Sequence, residues 1–182
     1  DLAAVQMHSS ELAQFDEKET LLLDIGTNGE MVLGKSGKFV CCATAAGPAF
    51  EGAEIAMGMP AASGAISKVW LEDEKICCST IDDATAVGIC GSGLIDALAV
   101  FLETGLLDET GLMADADDVK EAFAGYLGED ENGTCIWLTD EVKVTQADVR
   151  KLQLAKASIA AGIQILLEER QIAVTDVEQV IR

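Results

Sequence analysis

The run Leu21-Leu22-Leu23-Asp24-Ile25-Gly26-Thr27-Asn28-Gly29-Glu30-Met31-Val32-Leu33 carries the chemistry most legible in this chain. It reads as a buried strand, a glycine turn and a returning strand, with a carboxylate where the first strand ends. An ionised Asp on an apolar strand is costly to desolvate without hydrogen-bond, metal or water partners. The turn from Gly26 to Gly29 offers closely approaching backbone N–H groups to an anion. A phosphate-binding hairpin is therefore expected, with Asp24 as the leading functional candidate and Thr27 flanking the same turn. Asn28-Gly29 also fits a plain two-residue hairpin turn, and the presence of Asp24 and Thr27 puts the binding reading ahead.

A second match overlaps the first. Gly29-Glu30-Met31-Val32-Leu33-Gly34-Lys35-Ser36 satisfies G-x-x-x-x-G-K-[ST] letter by letter. A P-loop needs a strand before its glycines and a helix opening at the Lys, whereas the middle residues here are strand-like and Phe39-Val40-Cys41-Cys42 follows. The expectation is a second hairpin turn, with Lys35 and Lys38 as solvated turn charges. Further on, Gly91-Ser92-Gly93 precedes an apolar run, a second place where open helix N–H groups can receive an anion. A plain helix start with Ser as the cap explains the same residues. Cys90 stands where G-x-S-x-G needs its first glycine, so no nucleophile elbow is expected.

These residues need elements to hold them. Strands are expected at residues 21–26, 30–34 and 38–45, a short helix opened by Gly47-Pro48 and running through Glu51 to Met57, a loop at 58–64, and a hairpin of 65–71 and 75–81 about Glu72-Asp73-Glu74. A helix at 94–103 stops at Gly105. The acidic stretch 108–140 is expected to hold a helix at 117–127 and a strand at 135–138. Thr145 caps a long helix to about Glu169, with Asp148 three positions on. Its core face is Leu152, Ala155, Ile159, Ile163, Leu166 and Leu167. Residues 1–9 read as a helix end, 10–20 as an acidic connector, and 177–182 as the start of a strand. His8, the single histidine, has no triad around it.

With 182 residues the chain can bury a real core and suits one domain or a substantial part of one. The missing initiator Met and the broken-off strand lead us to expect a piece of a longer protein. Thirty-two acidic residues against twelve Lys and Arg give a net charge of −20, which repels nucleic acid and anionic membrane surfaces. The longest helical candidate contains Gln153, Lys156 and Gln164, so no bilayer span is expected. Six cysteines without a secretory segment point to a reducing, cytoplasmic setting. Cys41-Cys42 and Cys77-Cys78 are adjacent pairs on strands, whose side chains face opposite ways. With Cys90 and Cys135 isolated, buried reduced thiols are expected in place of a zinc or iron–sulfur site.

Four blocks in order carry a resemblance: LLLDIGTNGEMVLG (21–34), TAAGPAFEGAEIAMGM (44–59), GICGSGLIDAL (88–98) and VTQADVRKLQLAKASIAAGI (144–163). Together they resemble the C-terminal domain of the ATP-dependent reductive activators of corrinoid proteins. That domain belongs to the acetate and sugar kinase, heat-shock chaperone and actin (ASKHA) superfamily. The resemblance implies an α/β fold: one ribonuclease-H-like half of an ASKHA domain, a mixed sheet with flanking helices and an inserted α+β segment. Residues 1–182 would form the second half of that domain. The ferredoxin-like domain, the first phosphate loop and the glycine-rich adenosine motif would lie outside the chain.

The implied activity couples ATP to one-electron reduction of cob(II)alamin to cob(I)alamin on a corrinoid protein or corrinoid-dependent methyltransferase. The implied cofactors are ATP and magnesium, with an iron–sulfur cluster in the N-terminal domain and none bound to this piece alone. Asp24, Gly26, Thr27, Asn28 and Gly29 would form a phosphate loop. Asp24 would orient the magnesium shell through water, or the attacking water, while Thr27 and Asn28 bond terminal phosphate oxygens. Two other readings stand beside it: a small-molecule kinase of the same superfamily, and a non-catalytic interaction module, including a homodimer.

Overall fold

The computed structural model describes residues 17–131 and 133–182. In chain order its elements are β1 (Thr20–Ile25), β2 (Gly29–Lys35), β3 (Lys38–Thr44), β4 (Ala65–Glu72), β5 (Lys75–Thr80), β6 (Gly88–Ile89), α1 (Gly91–Thr104), α2 (Glu121–Ala124), β7 (Leu127–Asp130), β8 (Gly133–Trp137), β9 (Lys143–Thr145), α3 (Gln146–Arg170) and β10 (Gln179–Ile181). They form two compact units, one from residues 17–47 with Leu154–Arg182 and the other from Pro48–Gln153. His8, the expected helix end at 1–9 and most of the connector at 10–20 lie outside the described residues.

The first unit is built on a four-stranded sheet in the order β10-β1-β2-β3. β1, β2 and β3 are an antiparallel meander, and β10 joins β1 in parallel. Alternation along the strands puts Leu21, Met31 and Leu33 on one face. There they meet Leu166 and Leu167 of α3, with Leu23, Val40, Cys42, Ile159 and Ile163 packed around them. Met31 and Leu33 are 1% and 0% exposed, and burying each such side chain contributes about 1.5–3 kcal/mol. The helix face read from sequence is thus the core face, and the strand expected at 177–182 is β10.

The β2–β3 turn is Ser36-Gly37, with φ of 52° and 77° between the paired Lys35 and Lys38. Two left-handed residues match the right-handed twist of a hairpin, and no helix opens at Lys35. The P-loop match is therefore a strand and a turn. Lys35 departs from expectation in another respect: its Nζ lies 3.2 Å from Glu178 Oε2. The same carboxylate accepts the Glu19 N–H at 2.8 Å. Glu19 in turn takes a forked pair of bonds from Arg170 Nε and Nη2, both at 2.8 Å. The end of α3, the start of β1 and the entry to β10 are tied together by this network.

In the second unit, β5-β4-β6 is one three-stranded sheet and β7-β8-β9 another. The β4–β5 hairpin turns at Asp73-Glu74, both at positive φ. α1 buries Leu94, Ala97 and Phe101, and Gly105 ends it in the left-handed conformation, φ 76°. Asp148 is 1% exposed and completes a capping box at the start of α3. Its Oδ2 accepts Thr145 N–H at 2.9 Å and Thr145 Oγ1–H at 2.7 Å, and its Oδ1 accepts Ala56 N–H at 2.8 Å.

Three expectations are corrected. The helix expected to open at Gly47-Pro48 and run through Glu51 to Met57 does open at Pro48, but only as a 3₁₀ turn, Pro48–Glu51, followed by irregular backbone. Gly52 and Glu54 adopt φ of 79° and 64°, which no right-handed helix accommodates. The helix expected at 117–127 is reduced to a 3₁₀ turn at Ala116–Asp118 and one turn at Glu121–Ala124. Val119 between them is extended, and pairing of β7 with β8 claims the following residues. The cysteines are all free, but only Cys90 and Cys135 are buried, because β3 and β5 are edge strands and leave Cys41 exposed and Cys42, Cys77 and Cys78 half-buried.

Candidate functional site

Asp24 is the fifth residue of β1. Burial falls along this strand from Thr20, Leu21 and Leu22 through a half-buried Leu23 to an exposed Asp24 and Ile25. The carboxylate is therefore open to solvent, and the desolvation argument from sequence does not describe it. Exposure makes it available to a hydrated cation. Its antiparallel partner is Glu30, and two carboxylates directly opposite on one sheet face repel each other. A divalent cation or its water shell relieves that repulsion.

Register places Gly29 in β2 opposite Ile25, so the connecting turn is residues 26–28 and not a two-residue Asn-Gly turn. Thr27 and Asn28 are exposed at its tip. The Gly26 N–H donates to Asn28 O at 3.0 Å, and Gly47 N–H donates to Thr27 O at 2.9 Å. The turn is thus held by its own backbone and by the exit of β3, and the Gly26 N–H is already committed. Gly29 is buried for a packing reason. A Cβ there would lie 2.9 Å from Thr44 Oγ1 and 3.3 Å from Met31 Cε.

Gly91-Ser92-Gly93 belongs to the second unit and the Asp24 turn to the first. Cys90 holds the N-cap position, and Ser92 Oγ donates to Ser67 O at 3.0 Å, so Ser92 is not the cap. A Cβ on Gly91 would stand 1.8 Å from Phe50 O, and one on Gly93 would stand 2.2 Å from Ile66 O. Both glycines let backbone approach the helix start, a packing role that the sequence admits beside anion binding.

Among the described residues no group of three or more His, Cys, Asp or Glu side chains is placed to hold a metal. Burial raises the Cys42, Cys78 and Cys135 thiols above their usual range, with neighbouring Cys41 and Cys77 adding to the first two. Neutral thiols are poor metal ligands and poor nucleophiles. The Asp24 and Glu30 carboxylates and the exposed Thr27 hydroxyl and Asn28 amide of the hairpin are groups whose chemistry fits magnesium-nucleotide; a hard cation of this kind keeps most of its water. The described helices include none long and apolar enough to cross a membrane.

Sequence reading gave Thr44, Gly47 and Gly162 no part in the hairpin, which they support from β3, its exit and α3. The available signal was Gly162 itself, since a glycine inside a helix costs about 1 kcal/mol against Ala and survives where something approaches closely.

A four-stranded mixed sheet packed against one long helix, with an acidic residue near the end of β1, defines an α/β domain. A family model described as the C-terminal domain of RACo, the ASKHA domain, matches residues 18–182. The chain belongs to this family. It is 38% identical over 180 residues to the corrinoid activation enzyme RamQ of Eubacterium limosum, covering 91% of this chain and 30% of that protein. It is 30% identical over 200 residues to the [Co(II) methylated amine-specific corrinoid protein] reductase of Methanosarcina barkeri, covering 98% of this chain and 33% of the relative. A solved structure, a reductive activator for corrinoid, iron–sulfur protein, superposes with a TM-score of 0.83 at 38% identity, over 94% of this chain and 28% of that one. The chain spans no more than about a third of the length of these relatives.

Proposed function

We propose that this chain is the second half of the ASKHA ATPase domain of a reductive activator. That activator couples ATP to one-electron reduction of cob(II)alamin to cob(I)alamin on a corrinoid protein or corrinoid-dependent methyltransferase. The observation that carries the reading is the family match over residues 18–182 together with an exposed Asp24 on the strand beside an anchored turn. Two relatives named for corrinoid proteins support the partner class.

In this reading Asp24 orients the water shell of magnesium, and Thr27 and Asn28 donate to terminal phosphate oxygens. Magnesium, when bound, neutralises phosphate charge as it develops. The rest of the nucleotide site, and the iron–sulfur cluster that supplies the electron, belong to parts of the protein outside this chain. Gly91, Ser92 and Gly93 serve the packing of α1.

Asp24→Asn in the full-length protein tests the assignment. It keeps the shape of the side chain while removing its charge, and ATP turnover is expected to fall at least about tenfold, equivalent to about 1.4 kcal/mol of barrier. Unchanged turnover with intact folding removes Asp24 from the site.

A further inference from the structure

The base of the hairpin that carries Asp24, Thr27 and Asn28 is closely packed. Thr44, at the end of β3, pairs with Gly29 at the start of β2. Its hydroxyl points to Gly29 O at 3.4 Å, and its methyl faces Gly162 of α3. A Cβ on Gly162 would stand 2.7 Å from Thr44 Cγ2, 2.9 Å from Met31 Cε and 3.0 Å from Met31 Sδ. Gly162 O also receives Cys42 Sγ–H at 3.6 Å. Three residues beyond Thr44, Gly47 donates its N–H to Thr27 O at 2.9 Å. The side chain of Thr44 thus fills the gap between the hairpin base and the helix, and the chain leaving it grips the tip.

We propose that Gly162 and Thr44 are positioning residues that hold the Gly26–Gly29 hairpin at the height where Thr27 and Asn28 meet the phosphates, and so set the affinity for nucleotide. The proposal rests on the hairpin being the phosphate site. Helix α3 can lie this close to β3 only because residue 162 has no side chain. Met31 Cε is the end of a flexible chain and can swing aside. The Thr44 methyl cannot, because a β-branched side chain on a paired strand has little rotamer freedom. Restoring ordinary contact from 2.7 Å to 3.4 Å therefore moves β3 away from α3. Thr27 moves with it through the Gly47 bond, and Gly29 through its pairing with Thr44. Misplacement of a binding group by about 1 Å can cost about 100-fold, so a shift of this size is expected to be visible in kinetics.

The test compares four versions of the full-length protein, each first shown to be folded by its circular dichroism spectrum, in steady-state ATP hydrolysis: wild type, Gly162→Ala, Gly162→Ala with Thr44→Ser, and Thr27→Ala. Gly162→Ala is expected to raise the KM for ATP at least about tenfold. A loss of folded enzyme alone would lower apparent kcat and leave KM unchanged. Thr44→Ser removes the methyl that the new Cβ meets and keeps the hydroxyl, so the double variant is expected to return KM to within about threefold of wild type. An unchanged KM in Gly162→Ala beside a raised one in Thr27→Ala overturns the positioning and leaves the site standing. Unchanged KM in Thr27→Ala overturns the site reading and the proposal with it. Failure of Thr44→Ser to restore KM also overturns the proposal. If Gly162→Ala does not fold, Thr44→Val takes its place: it keeps a branched side chain, loses the hydroxyl at Gly29 O, and is expected to raise KM at least about threefold, with no change counting against the proposal.

Discussion

Replacing Asp148 by Ala removes the acceptor on which two separate pieces of the second unit depend. Asp148 is 1% exposed, and its carboxylate accepts Thr145 N–H at 2.9 Å, Thr145 Oγ1–H at 2.7 Å and Ala56 N–H at 2.8 Å. The first two close the capping box of α3. The third pins the irregular backbone between Gly52 and Met59, where left-handed residues leave no regular ladder to satisfy it. A buried N–H that loses its partner costs about 1–3 kcal/mol, and a hydroxyl can turn to another acceptor. Two stranded N–H groups and a lost cap therefore sum to about 3–5 kcal/mol, allowing for non-additivity between neighbouring bonds. Asp148→Asn keeps one acceptor oxygen and is expected to cost about half as much. Urea unfolding followed by tryptophan fluorescence is the assay, since both tryptophans, Trp70 and Trp137, lie in this unit. A loss below about 1 kcal/mol for Asp148→Ala would refute the reasoning, because it would mean that water replaces the carboxylate without penalty.

Other outcomes are expected from the same structure. Lys35→Ala in the full-length protein should change ATP affinity less than Thr27→Ala does, because Lys35 lies on a strand and is paired with Glu178; a larger loss at Lys35 would restore the P-loop reading. Titration calorimetry of magnesium-ATP against these 182 residues alone should show no binding in the micromolar range, since one phosphate hairpin buries little of a nucleotide and a net charge of −20 repels it. Micromolar affinity at one site would show that the site is complete in this chain. The Glu19 N–H, and after it Lys35, holds the Glu178 carboxyl below its ordinary value of 4.5. A lowered folded pKa contributes stability that is present above that ordinary value and is lost as the pH falls through the folded one. Wild type should therefore lose more stability than Glu178→Gln below about pH 4.5, and parallel acid-unfolding curves for the two would count against the network.

Local pattern was sufficient for much of the first unit. The apolar runs on either side of the glycine turns marked β1, β2 and β3 as strands, and the helical spacing from Leu152 to Leu167 specifies a buried face without reference to the rest of the chain. The capping box is equally local, since Thr145 and Asp148 stand three positions apart, and so is the rejection of the P-loop at Lys35, which follows from the strand-like residues between and after its glycines. The helix opened by Gly47-Pro48 did not continue to Met57, and the one expected at 117–127 was cut short, because local propensity was overruled. Left-handed backbone at Gly52 and Glu54, and pairing of Leu127–Asp130 with β8, are decided by partners distant in sequence.

The candidate site divides in the same way. Residue types at 24, 27 and 28 and the glycines around them were legible, because a carboxylate, a hydroxyl and an amide at one turn are visible in a string of letters. Whether Asp24 is buried was not: it alternates with Leu21 and Leu23, which pack against α3, and stands exposed opposite Glu30. Nor could the letters assign the glycines at 91 and 93 to close packing against Phe50 and Ile66. The contact of Thr44 with Gly162, 118 positions away in sequence, exists only once β3 and α3 lie together, since a side chain that is absent marks a close approach without naming its partner.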